Sequence, residues 1–390
     1  MSMTFEVDED LAAVVDAVRG FARDRLRPAL REAEAAGGLP EPLLRECFEL
    51  GLTTLALPEA HGGSDLLDAR AAALVTEELA WGDLGAAVAL PGPRSAGFAA
   101  LELGTPAQQA RLLAPFADAE RGWARRGALA WVEGAFGLDP TAIEATAARE
   151  DDAWVVRGTK RYVQAGPTAD LTLVLARDPA SRAPDPWDRL VLLAVEGRPE
   201  GLRAEARNET LGLATATWST VVLDGVRVPD ALRLGTGAPG ELRRAVRRTV
   251  ARKRVLDAAR LTGCLRAATE YACKYATERE AFGVRLHEHQ ALAFMMADMA
   301  TAVDAVRNLT WHAAWLVDRA DPDPEPLVEA ARRAWRHAAE LAVQVTTDAV
   351  QVLGGHGYLW DHPVEKWMRD ARTLPLVDGL DLDDDDLLAT

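Results

Sequence analysis

Hydrophobic residues recur at every third or fourth position through the first third of the chain, over residues 8–35, 42–55 and 68–80. This spacing places them along one face of an α-helix, so it predicts amphipathic helices that pack on a shared core. The sequence Pro-Glu-Ala-His-Gly-Gly at 58–63 is typical of a loop and separates two of these helices. We therefore predict an N-terminal helical domain over residues 1–126.

The pattern changes over residues 127–238, where short runs of β-branched, aromatic and aliphatic residues are separated by turn residues. The runs lie at 128–132, 154–156, 171–176, 190–195 and 218–223. Short runs of this kind, bounded by Asp, Gly and Pro, are typical of strands. A domain made of many such strands is expected to form a β-barrel or a sandwich.

Helical spacing then returns over longer segments, 255–279, 286–319 and 327–353. An Asp-Pro-Asp-Pro sequence at 321–324 separates the last two. Long amphipathic helices joined by short breaks are typical of a bundle. The fold class that we predict is therefore α+β, multidomain and mainly α, with a C-terminal four-helix bundle over 239–390 that ends in an acidic tail.

The composition indicates a globular protein, with 49% hydrophobic and 27% charged residues. The formal net charge of −16 disfavours nucleic acid and anionic membranes as partners. We find no basic and apolar targeting segment and no apolar run long enough to span a bilayer, so we expect a cytoplasmic location. The three cysteines are too few and too scattered to indicate a disulfide framework or a metal site.

Several short motifs follow one another in a specific order. They are Gly-Thr-Lys-Arg-Tyr-Val at 158–163, Leu-Asp-Gly-Val-Arg-Val-Pro at 223–229, Arg-x-x-Phe-Gly at 279–283, Gln-x-x-Gly-Gly at 351–355 and Arg-Asp-Ala-Arg at 369–372. Each motif is a weak signal when it stands alone. Together, and in this order, they resemble the acyl-CoA dehydrogenase family over essentially the whole chain.

The resemblance implies an enzyme that uses FAD to accept a hydride from the β-carbon of an acyl thioester while a carboxylate removes the α-proton. In the family, one group of residues holds the FAD of a neighbouring subunit. Carried onto this chain, that group is Arg279, Phe282, Gln290, Gln351, Gly354 and Gly355. The residue types suit the role, because arginine binds phosphate, amides bind adenine and glycines allow close backbone approach. The resemblance therefore also implies a homodimer or a homotetramer.

Contacts to the flavin ring are expected from the middle domain, at Val132, Val163 and Gln164. The family typically has Thr-Glu-x-x-x-Gly-Ser-Asp where residues 132–139 here read Val-Glu-Gly-Ala-Phe-Gly-Leu-Asp. Two hydroxyl groups of this segment are thus replaced by apolar side chains, which leaves more of the binding to backbone donors. The alternative is that Val132 and Leu138 are plain core residues of the β domain.

Asp378 stands where the family has its catalytic base, a glutamate in a Glu-Gly-Thr triplet. The triplet here reads Asp-Gly-Leu, which draws the carboxylate back by roughly one C–C bond, and a misplacement of about 1 Å can cost about 10²-fold in rate. Some relatives place the base on another helix, directly before an arginine that matches Arg254. Here Lys253 precedes Arg254, so this second position carries no base. The alternative for Asp378 is a surface turn at the start of the acidic tail.

Three functions fit these motifs. The first is dehydrogenation of an acyl-CoA or acyl-carrier-protein thioester, with Asp378 as the base and an electron-transfer partner or oxygen as the final acceptor. The second is a non-catalytic subunit of a heteromer with a homologous chain, because the motifs that are kept serve a neighbour's FAD. The third is a flavin oxygenase or oxidase on the same scaffold, which needs no base at this position.

Overall fold

The computed structural model describes residues 7–55, 57–63, 68–134, 138–319 and 323–377. Its first part is helical, as the spacing of hydrophobic residues predicts. The helices are α1 (Glu9–Phe21), α2 (Arg27–Ala36), α3 (Glu41–Glu49), α4 (Ala69–Gly82), α5 (Leu84–Ala89), α6 (Arg94–Leu103) and α7 (Pro106–Leu113). A π-helical stretch joins α1 to α2, so these two form one nearly continuous helix.

Short polar side chains fix where several of these helices begin. Asp8 accepts a hydrogen bond from the backbone N–H of Leu11 at 2.8 Å, at the start of α1. Asp68 and Asp83 accept backbone hydrogen bonds in the same way at the starts of α4 and α5. Each cap satisfies one of the backbone donors that a helix leaves unpaired at its first turn. Local sequence therefore sets these boundaries.

Helix α4 is buried along almost its whole length, and it carries two buried carboxylates, Glu77 and Glu78. Arg266 bonds to both, and its Nη1 atom lies 2.8 Å from each carboxylate. Arg307 completes the pairing of Glu77 at 2.6 Å, and Arg19 completes that of Glu78 at 2.9 Å. Buried carboxylates require partners of this kind. These ion pairs therefore fix α4 relative to α1 and to the C-terminal helices.

The middle domain is an eight-stranded sheet within the described part of the chain. Its strands are β1 (Gly127–Ala130), β2 (Thr146–Glu150), β3 (Ala153–Gln164), β4 (Leu171–Arg177), β5 (Leu190–Glu196), β6 (Leu202–Arg207), β7 (Trp218–Pro229) and β8 (Arg233–Leu234). The strand order is β6-β7-β3-β2-β4-β5-β8, and β1 pairs in parallel with β4. Strands β3 and β7 form a long antiparallel pair whose register shifts at two points.

Besides the two-residue strand β8, the strands β2 and β6 lie outside the runs that the sequence pattern predicts. They read Thr-Ala-Ala-Arg-Glu and Leu-Arg-Ala-Glu-Ala-Arg, and alanine and charged residues give little β propensity. They form because the longer strands β3 and β7 offer backbone hydrogen-bonding partners along their edges. Tertiary pairing thus overrides local propensity at both strands.

The described residues of the C-terminal part form four α-helices, together with a short antiparallel hairpin between the first two. The elements are α8 (Glu241–Glu278), β9 (Glu280–Ala281), β10 (Val284–Arg285), α9 (Gln290–Val317), α10 (Glu325–Leu353) and α11 (Val364–Thr373). The predicted fold class, with helical end domains around a middle β domain, is therefore confirmed. Although three of these helices are long, no described helix combines the length and apolarity needed to cross a membrane.

Helix α8 begins at Glu241, well before the predicted start at residue 255. Its first turns carry many arginines, which hide the helical spacing of Ala245, Val246 and Val250. These three side chains are buried in the core of the middle domain, whereas the later part of the helix packs into the helical core. Helix α8 therefore spans both cores and fixes the sheet against the bundle.

A buried ion cluster, formed by Asp83, Lys366 and Asp370, joins the three domains. The Lys366 ammonium donates to Asp83 at 2.6 Å and to Asp370 at 2.7 Å, and none of the three side chains is more than 1% exposed. Asp370 also accepts from the backbone N–H of Leu213, in the loop before β7. Burial alone would lower the pKa of Lys366, but the two carboxylates outweigh it and raise that pKa. The cluster holds α11 in place.

Candidate active site

Three narrow cavities adjoin the side chain of Arg94, where α6, the sheet and α8 come together. The sheet cavity, of about 50 Å³, is lined by residues that include Trp131, Val132, Tyr162 and Gln164. The bundle cavity, of about 40 Å³, is lined by residues that include Gln164, Trp218, Lys253, Asp257, Arg260, Leu374 and Val377. The helix cavity, of about 70 Å³, is lined mainly by apolar side chains. Arg94 lines all three, so the cavities lie around one side chain at the domain junction.

The expected flavin contacts occupy two different environments. Val132 and Gln164 line the sheet cavity, and the Gln164 amide donates to the backbone carbonyl of Val88 at 2.9 Å. Val163 instead is fully buried in the core of the sheet, while Tyr162 lines the cavity beside it. The register of β3 shifts between Lys160 and Val163, and Tyr162 has a φ of +54°, so the side chains here do not alternate regularly between the two faces of the strand. The structure thus brings Val132 and Gln164 together and turns Val163 away.

Arg94 has an unusual conformation for a residue with a side chain, because its φ is +50°. Its Nε donates to the backbone carbonyl of Leu90 at 2.9 Å, and its Nη2 donates to that of Ala89 at 3.0 Å. These carbonyls end α5, where a cation is favourable. The remaining nitrogen, Nη1, is buried and has no hydrogen-bond partner among the described residues. The carbonyls at the end of α5 therefore accept hydrogen bonds from two nitrogens of this guanidinium, and the third nitrogen has no acceptor among the described residues.

Burial lowers the pKa of Arg94 to about 9, and the nearby guanidinium groups of Arg126 and Arg260 add to the shift. Sequence reasoning missed this residue. The signal was present, since Arg94 is the one charged residue between Asp83 and Glu102 in a stretch otherwise made of small and apolar residues. A lone charge inside such a stretch indicates either a buried ion pair or a binding site.

Three charged side chains follow one another along the face of α8 that lines the bundle cavity. Lys253 donates to one oxygen of Asp257 at 2.5 Å, and Arg260 donates to the other at 2.5 Å. Burial by itself would raise the pKa of Asp257, but the two cations outweigh it and lower that pKa. Asp257 is therefore ionised, and each of its two oxygens accepts a hydrogen bond from a cation. Together with Arg94, the described residues of the cavity wall supply three cations and one anion.

Two residues, Arg254 and Asp378, were predicted to act in catalysis, and the structure describes only the first of them. Arg254 is buried on α8 next to Lys253, but it does not line any of the three cavities. Asp378 lies outside the described residues, as does the acidic tail that follows it. The segment directly before it is described, and its buried residues Leu374 and Val377 line the bundle cavity.

Open hydrogen-bond donors around the cavities show that a polar group fits here. The indole N–H groups of Trp131 and Trp218 are buried without a partner among the described residues, as is Nη1 of Arg94. These residues line the sheet and bundle cavities. Buried donors normally find acceptors, so their cluster indicates an occupant with several acceptor atoms. A flavin ring, with its carbonyl oxygens and ring nitrogens, meets that requirement.

The remaining predicted cofactor residues lie at one end of the bundle, away from these cavities. Arg279, Phe282, Gln290 and Gln351 are all exposed. The backbone N–H of Leu286 donates to the carbonyl of Arg279 at 2.9 Å, which folds the β9–β10 hairpin back on α8. The six predicted residues come from the end of α8, the hairpin, the start of α9 and the end of α10. The structure thus gathers the residues of four separate segments on one surface.

This surface is exposed to solvent, as a binding surface must be. Phe282 is 97% exposed, and Tyr358 and Trp360 beside the glycines are also exposed. A side chain added at Gly354 or Gly355 would meet no described atom within 4 Å, so the backbone there is accessible. Exposed aromatic residues next to accessible glycines are typical of an interaction surface, because large apolar side chains are otherwise buried. The surface is therefore accessible to a bound group or to another chain.

Comparisons with known proteins agree with this arrangement. Models of the acyl-CoA dehydrogenase N-terminal, middle and C-terminal domains match residues 8–120, 128–226 and 243–381. The chain therefore belongs to the acyl-CoA dehydrogenase family.

Individual relatives match over nearly their whole length. The chain is 33% identical over 372 residues to benzylmalonyl-CoA dehydrogenase of Aromatoleum aromaticum, which covers 95% of this chain and 94% of that protein. It is 30% identical over 377 residues to cyclohexane-1-carbonyl-CoA dehydrogenase of Geobacter metallireducens, with coverage of 96% and 95%. The solved structure of butyryl-CoA dehydrogenase from Megasphaera elsdenii matches with a TM-score of 0.87 at 27% identity, covering 99% of this chain and 98% of that chain.

Family membership settles the general chemistry. Acyl-CoA dehydrogenases are FAD flavoproteins that oxidise CH–CH groups of acyl thioesters, so this chain is an oxidoreductase of that class. The family, the enzyme class and the cofactor that the motifs predict are thereby confirmed.

Proposed function

We propose that this chain dehydrogenates an acyl thioester in the space around Arg94, with Asp378 as the base. One observation carries the proposal: Gln164, expected beside the flavin, lines the same cavity as Val377, the residue before Asp378. The hydride acceptor and the base must flank the acyl group from two sides. The bundle cavity is bordered by the segments that would supply both.

The residues of the chain have distinct tasks in this reaction. The α-proton becomes acidic enough for transfer only when the thioester oxygen is held by hydrogen bonds. Asp378 would take that proton, which requires its carboxylate to lie within hydrogen-bond reach of the α-carbon. FAD, when bound, supplies the acceptor for the hydride of the β-carbon.

The cofactor would be shared between two chains. The exposed surface at the end of the bundle, with Arg279, Gln351 and Gly354, suits the adenine and pyrophosphate of a neighbour's FAD. The flavin ring of that FAD would lie in the other chain. This arrangement explains why the aromatic side chain of Phe282 is almost fully exposed in a single chain. We therefore propose a homodimer or a homotetramer, with an electron-transfer partner or oxygen as the final acceptor.

The test is the flavin spectrum of the purified protein during anaerobic addition of a panel of acyl-CoA and acyl-carrier-protein thioesters. Bleaching by at least one of them is expected. Asp378→Asn should keep bound FAD and slow bleaching by about 10²- to 10⁴-fold, the range for loss of a general base. Asp381→Asn, the same change three residues later, is the matched control. Bleaching of Asp378→Asn at the wild-type rate would refute the role of Asp378.

A second function, that of a non-catalytic subunit, is favoured by the contrast between the two halves of the cofactor site. The residue types expected for a neighbour's FAD are all retained in the sequence, whereas Val132 offers no hydroxyl and Val163 packs into the sheet core. A colourless protein that gains FAD only when it is co-purified with a homologous chain would support this alternative. A homo-oligomer with one FAD per chain would exclude it. Substrate-dependent oxygen uptake would instead identify an oxidase or an oxygenase.

A further inference from the structure

Two tyrosine–histidine pairs lie beside the cofactor surface, the surface that the six predicted FAD residues form at the end of the bundle. Tyr271 and Tyr275 stand four residues apart on α8, so they lie on the same face of that helix. The hydroxyl of Tyr275 and Nδ1 of His356 are joined by a hydrogen bond of 2.6 Å, and Tyr271 and His362 are joined in the same way at 2.8 Å. The two imidazole rings lie side by side, with their centroids 5.7 Å apart. These four side chains form a ring cluster between α8 and the segment after α10.

Within the ring cluster, Tyr275 contacts both ends of the cofactor surface. Its backbone carbonyl accepts a hydrogen bond from the N–H of Arg279 at 2.9 Å, where α8 ends. Its hydroxyl bonds to His356, which directly follows Gly354 and Gly355. The arginine and the two glycines are far apart in the sequence, and they belong to different elements. Tyr275 therefore links the arginine end of the surface to its glycine end.

The turn that carries the two glycines is anchored on its far side. Gly357 packs so closely on α10 that an added Cβ would lie 2.4 Å from the backbone carbonyl of Val350. At Gly354 and Gly355 an added Cβ would meet no described atom within 4 Å, so described side chains do not confine the backbone there. The φ of +57° at Gly354 is a conformation that glycine adopts freely. His356 lies between the open glycines and the anchored one, so it is placed to fix where the open glycines lie.

The hydrogen bond between Tyr275 and His356 suits positioning better than it suits global stability. Both side chains are half-buried, so water competes for their hydrogen bond and its net contribution to the free energy of unfolding is small. A hydrogen bond nevertheless has a preferred length and angle, whereas an apolar contact has no preferred direction. A polar pair at this place therefore selects one arrangement of the turn relative to α8.

We propose that Tyr275 and His356 are positioning residues for FAD, and that their hydrogen bond holds Gly354 and Gly355 in register with Arg279. This inference rests on the proposed function, because it takes the surface to hold the adenine and pyrophosphate of a neighbour's FAD. Neither side chain of the pair needs to touch the cofactor. Without the bond, the turn populates other conformations, and the apparent dissociation constant for FAD rises as the competent arrangement becomes less populated.

The experiment measures the dissociation constant for FAD in a double-mutant cycle. The purified flavoprotein is diluted stepwise, and the released FAD is measured by its fluorescence. Tyr275→Phe and His356→Phe each remove the hydrogen bond and keep an aromatic ring, so each should raise the dissociation constant about 3- to 10-fold, the factor for one hydrogen bond. Because both changes break the same bond, the double variant should bind no more than about 2-fold more weakly than either single variant.

Two control variants separate positioning from a general effect on the fold. His356→Asn keeps a hydrogen-bonding atom at the same number of bonds from the backbone as Nδ1, so its FAD affinity should stay within about 2-fold of wild type. Tyr271→Phe removes the matched bond to His362, which lies farther from the glycines along the chain, and its affinity should also stay within about 2-fold of wild type. Light scattering at each dilution shows whether the oligomer is intact, which separates release of FAD from dissociation of subunits.

Several results would overturn the inference. The first is an FAD affinity that does not change in Tyr275→Phe or in His356→Phe. The second is a pair of single effects that multiply in the double variant, because the two side chains would then act independently. The third is an equal loss of affinity in Tyr271→Phe, or a loss in His356→Asn as large as that in His356→Phe, because the ring cluster would then support only the fold.

The outcomes also distinguish this inference from the proposed function. If the variants show the expected pattern of FAD affinity but no thioester reduces the flavin of the wild type, the inference stands and the proposed dehydrogenation is removed. If thioesters reduce the flavin but the FAD affinity of Tyr275→Phe and His356→Phe is that of the wild type, the dehydrogenation stands and the inference is removed.

Discussion

Replacing Lys366 with methionine should strongly destabilise the fold, because it removes the one cation from the buried cluster of Asp83, Lys366 and Asp370. Methionine keeps the length and apolar stem of lysine. The ammonium lies 2.6 Å from Asp83 and 2.7 Å from Asp370. All three side chains are fully buried, so water cannot take its place. The variant therefore leaves two neighbouring carboxylates without a counterion.

The loss of stability is set by the response of the variant that costs the least free energy. Burial and the nearby Asp83 carboxylate already raise the pKa of Asp370, and Lys366 opposes the shift. Without Lys366, one carboxyl is expected to take up a proton. Protonating a group with an unfolded-state pKa of about 3.9 costs ~4 kcal/mol at about pH 7 and ~1.5 kcal/mol at about pH 5. The first value agrees with the ~3–5 kcal/mol measured when one partner of a buried ion pair is removed.

The sign of the pH dependence is therefore fixed. In the variant, a carboxyl whose folded pKa is raised binds more protons in the folded than in the unfolded state. Its contribution to stability is then present at low pH and is lost as the pH rises through the raised pKa. The free-energy gap between wild type and Lys366→Met should widen by ~1.4 kcal/mol per pH unit between about pH 5 and pH 7.

Urea unfolding, followed by the helix signal in circular dichroism, measures this gap at both pH values. Lys274→Met is the matched control, because Lys274 is exposed on α8 and its loss should change the free energy of unfolding by no more than about 0.5 kcal/mol. A triple variant with Asp83→Asn and Asp370→Asn added should recover much of the loss, since asparagine keeps the acceptor oxygen at each position.

Two results would refute this reasoning. If Lys366→Met costs no more than Lys274→Met, the cluster does not need its cation. If the triple variant is as unstable as Lys366→Met at every pH, the loss comes from packing and not from unbalanced charge.

Two further predictions concern the sheet and the cofactor surface. Burial lowers the pKa of Lys160 to about 8, although the nearby Glu133 carboxylate opposes this shift. Between about pH 8 and pH 10.4 the unfolded state therefore binds more protons than the folded state, and the free energy of unfolding rises with pH. The wild type should therefore gain ~3 kcal/mol relative to Lys160→Met across that window in urea unfolding, and a constant difference would contradict the shift. Arg279→Gln should weaken FAD binding by about 10-fold or more in equilibrium titration. The thermal stability of the FAD-free protein should not change, because Arg279 is exposed. Unchanged FAD affinity would remove Arg279 from the cofactor site.

The sequence determined the helices and the family with little help from tertiary structure. Helices α9 and α10 follow the spacing of their hydrophobic residues, because a helix in a bundle must bury one continuous stripe. The range 327–353 predicted for α10 and the observed Glu325–Leu353 agree to within two residues at the start. The ordered motifs, including Arg279 with Phe282, were sufficient to identify the acyl-CoA dehydrogenase family and its cofactor.

Tertiary structure decided the elements whose local sequence is ambiguous. Strands β2 and β6 have weak propensity and exist because β3 and β7 pair with them. The first turns of α8 contain many arginines, so their helical spacing was not recognised in the sequence. The structure shows that they form a helix whose apolar side chains pack in the core of the middle domain. Val163 and Tyr162 could each have faced the flavin, and the register of β3 sends Val163 into the sheet core.

The site around Arg94 could not be predicted from the sequence, because only the tertiary structure brings its residues together. It is assembled from α6, the end of β3, one face of α8 and the segment after α11, which are separated by scores of residues in the chain. The sequence shows a lone arginine among apolar residues and a Lys-x-x-x-Asp-x-x-Arg pattern, but neither reveals that they border one space. Whether a charge is balanced depends on every group packed around it, and that set is defined only when the chain has folded.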